Sequence, residues 1–225
     1  MKKPKAPIKA VIFDMDGVIV DSMPYHFLAW YEALRPLGVR LSCFDVYIKE
    51  GERWEKSMKD FLVRAKIKAS GSTLKKVFRV RQKIFRSYFK RLIFEGVKEF
   101  LSCLKQKGYL LGLVTGTPMV ELKDILPKSI KVLFDSVITG DLVKNGKPHP
   151  EPYLKSARTL GIKPKECIVV ENAPLGINSA KRAGMFCVAL TTSLPKDYLK
   201  KADIVVDRLE EISGIIDKSC RLSAK

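Results

Sequence analysis

Three short apolar runs, each about the length of one β-strand, constrain the fold of this chain more than any other feature. They span residues 10–13, 109–114 and 167–170, and each is followed at once by polar side chains. An apolar run without alternation is typical of a strand that is buried on both faces, as in a parallel sheet. The runs therefore predict a parallel sheet with polar side chains at the carboxyl ends of its strands, where such sheets bind ligands.

The first run ends in the segment Asp14-Met15-Asp16-Gly17. In an extended chain, residues two positions apart point to the same side, so Asp14 and Asp16 can face one substrate. The first carboxylate can act as a nucleophile that attacks phosphorus, and the second can move a proton to the leaving oxygen. A strand that simply ends in an acidic turn is the structural alternative.

Two further segments carry groups that can hold a phosphoryl group. Thr115 and Gly116 follow the second run, where a hydroxyl and successive backbone amides can bind phosphoryl oxygens, although a simple turn has the same pattern. Lys147 is fixed between Gly146 and Pro148. This rigid setting favours a side chain that points at a ligand over one that extends into solvent. A lysine beside an aspartyl nucleophile would offset the repulsion between carboxylate and phosphate.

The third run ends in two oxygen-bearing side chains, Glu171 and Asn172. Hard oxygen ligands suit Mg²⁺, which keeps several waters and bridges to phosphate. Asn172 can instead cap the helix that is predicted to begin near Pro174, and both roles can coexist. Together the four segments predict a magnesium-assisted phosphoryl-transfer site.

The order of strands and helices predicts an α/β fold. We predict strands near residues 9–14, 110–115, 136–139, 167–171, 186–190 and 203–206. After the first hundred residues they alternate with helical stretches, which indicates a doubly wound parallel sheet covered on both faces. The region before them reads as mostly helix, and an apolar stripe over residues 73–92 belongs to it. The length of 225 residues would also allow two independent domains.

These four segments resemble the motifs of the haloacid dehalogenase superfamily of aspartate-nucleophile phosphatases and phosphomutases, in the branch with a helical cap. The resemblance runs from about Ile8 to the strand at residues 204–206. Residues 22–30 look like the first cap helix of β-phosphoglucomutase-like members. Residues 146–153 and 171–176 look like a subgroup of small-molecule phosphatases and pyrophosphate hydrolases.

The resemblance implies a Rossmann-like catalytic core, residues 1–20 and 95–225, with an inserted all-helical cap domain, residues 21–94. It implies Asp14 as nucleophile, Asp16 as general acid and base, and Thr115 and Lys147 on the phosphoryl group. It also implies Mg²⁺ held by Asp14, the Asp16 carbonyl and the pair Glu171 and Asn172. Many members have aspartate where this chain has Asn172, which leaves open which residue of the pair contacts the metal.

Three residues of the cap are candidate substrate-binding residues, together with Thr115, Gly116 and Lys147 of the core. Arg81 interrupts the apolar stripe, so its side chain extends either to solvent or to a substrate anion. Glu50 precedes a glycine in a cap segment that faces the site in the family, or it is a solvated loop acid. His26 either lines the hinge or packs under a neighbouring tryptophan. We interpret the aromatic residues of the cap as core rather than as a binding surface.

The net charge of +18 is concentrated in the predicted cap. Residues 22–94 contain 17 Lys and Arg against six Asp and Glu. Such a field would attract phosphorylated substrates, and it could bind nucleic acid without specificity. No recognised nucleic-acid-binding motif accompanies the charge, so we expect a small phosphorylated substrate and no specific nucleic acid.

The cysteine pattern and the hydropathy of the sequence indicate in which cellular compartment the protein is expected. The five cysteines are scattered without a CxxC pair, so we predict neither a disulfide framework nor a zinc site. The basic segment before residue 10 leads into a strand with an aspartate, which predicts no signal peptide, and no membrane span is predicted. We expect a cytoplasmic monomer. Only five amide side chains accompany 29% charged residues, a balance that favours a protein from a hot habitat.

The sequence thus predicts a Mg²⁺-dependent phosphatase that acts through an aspartyl-phosphate on a sugar phosphate, phosphoglycolate or pyrophosphate. A β-phosphoglucomutase-like phosphomutase is the nearest alternative, because it would use the same aspartyl-phosphate. A basic nucleic-acid-binding protein without turnover is an alternative of another class. The intact set of Asp14, Asp16, Thr115 and Lys147 would serve no purpose in binding alone.

Overall fold

A computed structural model describes residues 3–4, 6–68 and 70–216 of the chain. Six strands, all parallel, form one sheet in the order β3-β2-β1-β4-β5-β6. This confirms the α/β prediction, because all six predicted strands are present. Their bounds are β1 (Ala10–Phe13), β2 (Leu110–Val114), β3 (Ser136–Ile138), β4 (Cys167–Glu171), β5 (Phe186–Leu190) and β6 (Ile204–Val206).

The sheet is buried on both faces. In β1 every residue is inaccessible to solvent, and alternate residues belong to different hydrophobic clusters, Val11 and Phe13 to one and Ala10 and Ile12 to the other. The helices outside the insertion are α5 (Val97–Gln106), α6 (Met119–Ile125), α7 (Lys128–Lys131), α8 (Glu151–Thr159), α9 (Pro174–Arg182), α10 (Lys196–Leu199) and α11 (Leu209–Ile216).

Four helices lie between β1 and α5: α1 (Met23–Leu34), α2 (Cys43–Tyr47), α3 (Trp54–Arg64) and α4 (Gly71–Tyr88). We call residues 21–94 the helical insertion and the rest the core. The insertion has a hydrophobic cluster of its own, which includes the buried side chains of Trp30, Leu34, Met58, Phe61 and Val77. Its assignment as a cap domain with these boundaries stays a prediction.

Helix α4 is shorter than the apolar stripe over residues 73–92 indicates. The hydroxyl of Ser70 accepts a hydrogen bond from the Thr73 amide and caps the start of the helix. The helix ends at Tyr88, and the chain then returns to the core as Ile93 pairs with Val20. The stripe continues beyond the helix because residues on both sides of Tyr88 pack against apolar neighbours.

The strand order brings two predicted site residues to one place. Strand β1 lies between β2 and β4, so the sheet is extended to either side of it, and ligands bind at this switch point in doubly wound sheets. Phe13 is in register with Leu113 of β2 and Val170 of β4. Asp14 and Glu171 therefore stand side by side at the carboxyl edge of the sheet.

One cysteine differs from expectation. Cys43, Cys167 and Cys187 are free thiols, but Cys103 is disulfide-bonded, which corrects the prediction that this chain has no disulfide. Cys220 lies outside the described residues. Within the described ranges, none of the helices has the length and apolar composition that crossing a membrane requires.

Candidate active site

Asp14 is a buried carboxylate beside one cation, Lys147. Its Oδ1 atom lies 2.8 Å from the Lys147 ammonium, and its Oδ2 atom has no hydrogen-bond partner among the described residues. The pKa of Asp14 is raised to about 8, chiefly by burial; Lys147 opposes this rise, and the nearby carboxylates Glu171 and Asp16 add to it. An oxygen without a partner in a dry site is suited to attack or to metal binding, because nothing has to be displaced from it.

Lys147 joins the ends of two strands. Its Nζ atom lies 2.8 Å from Asp14 Oδ1 and donates a hydrogen bond of 2.7 Å to Glu171 Oε1. Burial alone would lower the pKa of Lys147, but these two carboxylates raise it, so the lysine stays charged. The predicted proximity of this lysine to the first aspartate is present in the structure, and the Lys147–Pro148 peptide bond is cis.

Both oxygens of Glu171 already accept two hydrogen bonds each. Oε1 accepts from Lys147 and from the Tyr153 hydroxyl, each at 2.7 Å. Oε2 accepts from the backbone amides of Asn172 at 2.9 Å and Ala173 at 3.2 Å. The carboxylate also lies against helix α9, where Gly176 leaves room, since a Cβ atom there would be only 1.6 Å from Oε1. Glu171 is therefore placed to position Lys147.

The side-chain oxygen of Asn172, unlike the oxygens of Glu171, accepts no hydrogen bond from the described residues. The Nδ2 atom of Asn172 donates to the Ser193 hydroxyl at 2.9 Å, which orients the amide, and its buried Oδ1 atom has no hydrogen-bond partner. Mg²⁺ prefers oxygen ligands, so the partnerless oxygens of Asn172 and Asp14 fit such a cation. No group of three His, Cys, Asp or Glu side chains suited to a metal is found in the described ranges, so backbone, amide or water oxygens would complete its shell.

Asp16 is held by four side-chain donors. Its Oδ1 accepts hydrogen bonds from Ser22 at 2.5 Å and His26 at 3.0 Å, and its Oδ2 accepts from Thr115 and Thr117, each at 3.3 Å. Burial alone would raise the pKa of Asp16, but the His26 ring and the hydroxyl donors outweigh it and hold the pKa below its ordinary value. In this state Asp16 is ionised and acts as a hydrogen-bond acceptor.

A buried chain of contacts leads from Asp16 to the insertion. Arg81 Nη2 lies 2.5 Å from His26 Nδ1, and since an arginine only donates, the His26 ring accepts there and donates through Nε2 to Asp16. The ring is stacked on Phe85 with centroids 4.6 Å apart. Arg81 also forms an ion pair of 3.5 Å with Glu121 of the core helix α6. The insertion thereby fixes the tautomer of a ring that touches the second aspartate.

The insertion is closed on the core. Gly51, at φ +78°, lies directly on Lys147, since a Cβ atom there would be 2.5 Å from Lys147 Cδ. A Cβ atom on Gly116 would be 3.2 Å from the Gly51 carbonyl oxygen. Arg53 donates a 2.5 Å hydrogen bond to the Val143 carbonyl. This turn of the insertion therefore covers Thr115-Gly116 and Lys147 and excludes bulk water.

A cavity of about 80 Å³ remains between the two parts, enough for several water molecules. Asp16, Gly116 and Glu121 line it from the core. Arg81 and Glu50 line it from the insertion, together with aromatic side chains that also belong to the cluster of the insertion. We call this space the closed cavity.

The structure thus brings together Asp14, Asp16, Thr115, Lys147 and Glu171, and it places His26, Glu50 and Arg81 around the closed cavity. Sequence reasoning missed several contributing residues: Ser22, Gln82, Thr117, Glu121, Tyr153 and Ser193. Ser22 had a visible signal, because it stands at the start of α1 as a capping residue would, yet its hydroxyl serves Asp16. Glu121 and Gln82 carry no such signal in the sequence, because their contact depends on how the insertion docks on the core.

Comparisons with known proteins agree with this geometry. The family model for haloacid dehalogenase-like hydrolases matches residues 8–184. The phosphorylated carbohydrates phosphatase of Thermotoga maritima is 32% identical over 215 residues, which cover 93% of this chain and 98% of that protein. The validoxylamine A 7′-phosphate phosphatase of Streptomyces hygroscopicus subsp. limoneus is 31% identical over 205 residues, which cover 91% and 95% of the two chains.

Solved structures show the same likeness. A β-phosphoglucomutase from Clostridium difficile superimposes with a TM-score of 0.82 at 28% sequence identity. The match covers 94% of this chain and 98% of that one, so it includes both the core and the helical insertion.

Proposed function

Because the chain belongs to the haloacid dehalogenase-like hydrolases, we propose that it hydrolyses a small phosphorylated metabolite through an aspartyl-phosphate on Asp14. The observation that carries the proposal is the state of that carboxylate. It is buried, paired with Lys147 at one oxygen and without a partner at the other, at the switch point of the sheet. The remaining residues of the site fit the two steps of such a reaction.

In the first step Asp14 attacks phosphorus, and the bond from phosphorus to the leaving oxygen breaks. Asp16 donates its proton to that oxygen; a bound dianionic phosphoryl group favours the protonated form of Asp16, because like charges disfavour ionisation. In the second step Asp16 takes a proton from a water that attacks the phosphorus, the bond from phosphorus to the Asp14 oxygen breaks, and phosphate leaves. Thr115, Gly116 and Lys147 would hold the phosphoryl oxygens.

We propose Mg²⁺ as the cofactor. Asp14, the Asp16 carbonyl and Asn172 would hold it, with Glu171 oriented nearby by its own four hydrogen bonds. When bound, the ion would offset the negative charge of the phosphoryl group and the carboxylates. The oxygens of Asp14 and Asn172 that have no hydrogen-bond partner support this assignment.

We propose that the helical insertion acts as the cap, whose closure excludes water and whose opening admits substrate. The contact of Gly51 with Lys147 supports this, because the phosphoryl group cannot reach the lysine from solvent while that contact persists. The two curated relatives act on phosphorylated carbohydrates and on a 7′-phosphate, as their names state. Sugar phosphates, phosphoglycolate and pyrophosphate are the candidate substrates.

The test is release of inorganic phosphate from a panel of sugar phosphates, phosphoglycolate and pyrophosphate, with Mg²⁺ or with a chelator. We expect release that requires Mg²⁺ and is lost in an Asp14→Asn protein. Asp197→Asn is the matched control, because it removes the same charge from a side chain that is 77% exposed. Turnover by Asp14→Asn comparable to that of the parent would overturn the proposal.

A phosphomutase is the second candidate, favoured by the likeness to a solved β-phosphoglucomutase across both parts of the chain. It would form the same aspartyl-phosphate but return the phosphoryl group to a sugar faster than to water. Formation of glucose 6-phosphate from β-glucose 1-phosphate, with little free phosphate, would decide for it. Free phosphate as the main product would decide for the phosphatase.

We propose a cytoplasmic location, a monomeric state and no nucleic-acid partner. Small phosphorylated metabolites are the substrates that the site fits, and they support an intracellular role. The disulfide at Cys103 is compatible with it if the source lives in a hot habitat, since intracellular proteins of hyperthermophiles carry disulfides.

A further inference from the structure

Four carboxylates line the closed cavity, and three of them have partners. Asp16 has its four donors, Glu121 pairs with Arg81, and Glu52 binds Lys49, Lys56 and Ser57. The fourth, Glu50, forms no ion pair or hydrogen bond through its side chain with any residue that the structure describes. It lies in the turn after α2, one residue before the glycine that covers Lys147.

The cations around the cavity are already neutralised. Lys49 lies 2.5 Å from Asp60 and 3.3 Å from Glu52. Arg81 serves His26 and Glu121, as described above. Lys147 lies between Asp14 and Glu171, so its charge is directed at the phosphoryl position. No described cation remains at the cavity for a second anionic group of a substrate.

We infer that Glu50 determines specificity at this site: its carboxylate accepts a hydrogen bond from a hydroxyl or ammonium group of the leaving group and disfavours a leaving group with a second negative charge. The inference rests on the proposed phosphatase function. It ranks sugar and polyol phosphates above phosphoglycolate and pyrophosphate, whose leaving groups are anions.

The electrostatic surroundings of Glu50 support this ranking. Although Glu50 keeps some surface open to the cavity, burial raises its pKa well above the ordinary value, and the charges of Asp16 and Asp14 raise it further. These negative surroundings disfavour another anion beside Glu50, whereas a hydrogen-bond donor would stabilise the ionised form of its carboxyl group. Trp30, Trp54 and Phe78 supply an aromatic wall, which suits an uncharged carbon skeleton better than a hydrated anion.

The test compares esters of similar size whose leaving groups differ in charge. One series is 2-aminoethyl phosphate, 2-hydroxyethyl phosphate and 2-phosphoglycolate, and the other is glucosamine 6-phosphate, glucose 6-phosphate and 6-phosphogluconate. Phosphate release with Mg²⁺ gives kcat/KM for the parent, Glu50→Gln and Glu55→Gln. Glu55→Gln is the matched control, because Glu55 is exposed on α3 and does not line the cavity.

We expect the parent to prefer the neutral or cationic ester over the anionic one by about tenfold or more in kcat/KM, since a tenfold ratio needs only a small difference in charge interaction. Glu50→Gln should reduce that preference at least fivefold, mainly by lowering KM for the anionic ester. Glu55→Gln should keep the preference of the parent. Thermal unfolding of each variant verifies that it is folded.

Calorimetric titration of the Asp14→Asn protein with the same esters measures binding without turnover. An equal preference for anionic and neutral esters in the parent, or an unchanged preference in Glu50→Gln, would overturn the inference while leaving the phosphatase function intact. If no ester releases phosphate, the proposed function fails, and the binding preferences of Asp14→Asn with and without Glu50→Gln decide the role of Glu50 separately.

Discussion

The core and the helical insertion place their site residues by different means. In the core, Asp14 and Glu171 follow strands whose register sets them side by side, and Lys147 spans the gap between them. In the insertion, Glu50 and Arg81 come from a turn and a helix that reach the site only because two separately packed parts are docked.

The difference teaches where the chemistry and where the selectivity of the protein reside. The positions of Asp14 and Glu171 follow from strand register and not from the docking of the insertion, so these residues suit the reaction itself. Residues that arrive by docking line the closed cavity, so they suit the proposed choice of substrate. The following variants separate the two kinds of residue.

The largest effect is expected in the core, for Lys147→Met. Loss of the ammonium removes a charge that faces the phosphoryl position, and kcat/KM should fall about 10³-fold. It also leaves Asp14 and Glu171 buried without a cation, which should lower the free energy of unfolding by about 3 kcal/mol. Phosphate release and urea unfolding measure the two losses. The exposed Lys144→Met is the control, and a Lys147→Met protein with more than a tenth of parental activity contradicts the assignment.

A pair of glycines tests the contact between insertion and core. Gly51 and Gly38 both have φ +78°, so alanine at either should cost about 1 kcal/mol of stability from backbone strain. Only at Gly51 does the new methyl group meet Lys147, whereas nothing lies within 4 Å of it at Gly38. We expect Gly51→Ala to lose about 100-fold in kcat/KM, because a misplaced catalytic group costs that much. Equal activity of the two variants would show that closure does not require this contact.

A smaller effect on activity is expected for the ion pair between Arg81 of the insertion and Glu121 of the core. Arg81→Met should lower kcat/KM about tenfold, since the His26 ring loses the donor that fixes its tautomer. Arg81→Met and Glu121→Gln should be non-additive in unfolding free energy by about 1 kcal/mol or more, because each removes the same buried pair. A double-mutant cycle measured by urea unfolding checks this, and additive losses would argue against the pair.

The smallest effect is expected at Asp45, which lies in the insertion away from the cavity. Its slight burial raises the pKa, but donors from Ser42 and Arg64 outweigh this and hold the pKa of Asp45 below its ordinary value of 3.8. A lowered folded pKa gives stability that is present above the ordinary value and lost as the pH falls through the folded value. Asp45→Asn should therefore cost about 0.5 kcal/mol at pH 7, where solvent screens the pair, and less near pH 2.

Activity should be unchanged in Asp45→Asn, because the side chain does not line the cavity. Unfolding curves at the two pH values check the sign. A variant that is equally destabilised at both would show that hydrogen bonding, not charge, is what Asp45 contributes.

The sequence predicted the six strands and the residues at their ends because both depend on local pattern. An apolar run followed by Asp14 or Glu171 has the same meaning wherever the chain goes next. Glu121 could not be predicted, since in sequence it is an ordinary residue of a short helix, and only docking brings it to Arg81 and Gln82. Arg81 was noticed because it interrupts an apolar stripe, but its partners were not visible.

The contact of Glu171 with the metal was left open by the sequence for a physical reason. The motif shows which oxygens are present but not how many donors each one already has. In the structure Glu171 has four donors and Asn172 Oδ1 has none, which supports Asn172 as the direct ligand.

The insertion is fastened to the core largely through arginines: Arg53 to a carbonyl, Arg81 to Glu121 and Arg86 to Asp124 at 3.5 Å. Dissolved ions weaken such attractions most where they are exposed, as at Arg86. Added salt would then favour the proposed open form and speed the release of phosphate, but it would also screen the positive charge that attracts a phosphorylated substrate and so slow its capture. Ionic strength would act in opposite directions on the two ends of the catalytic cycle, and turnover would be fastest at an intermediate salt concentration.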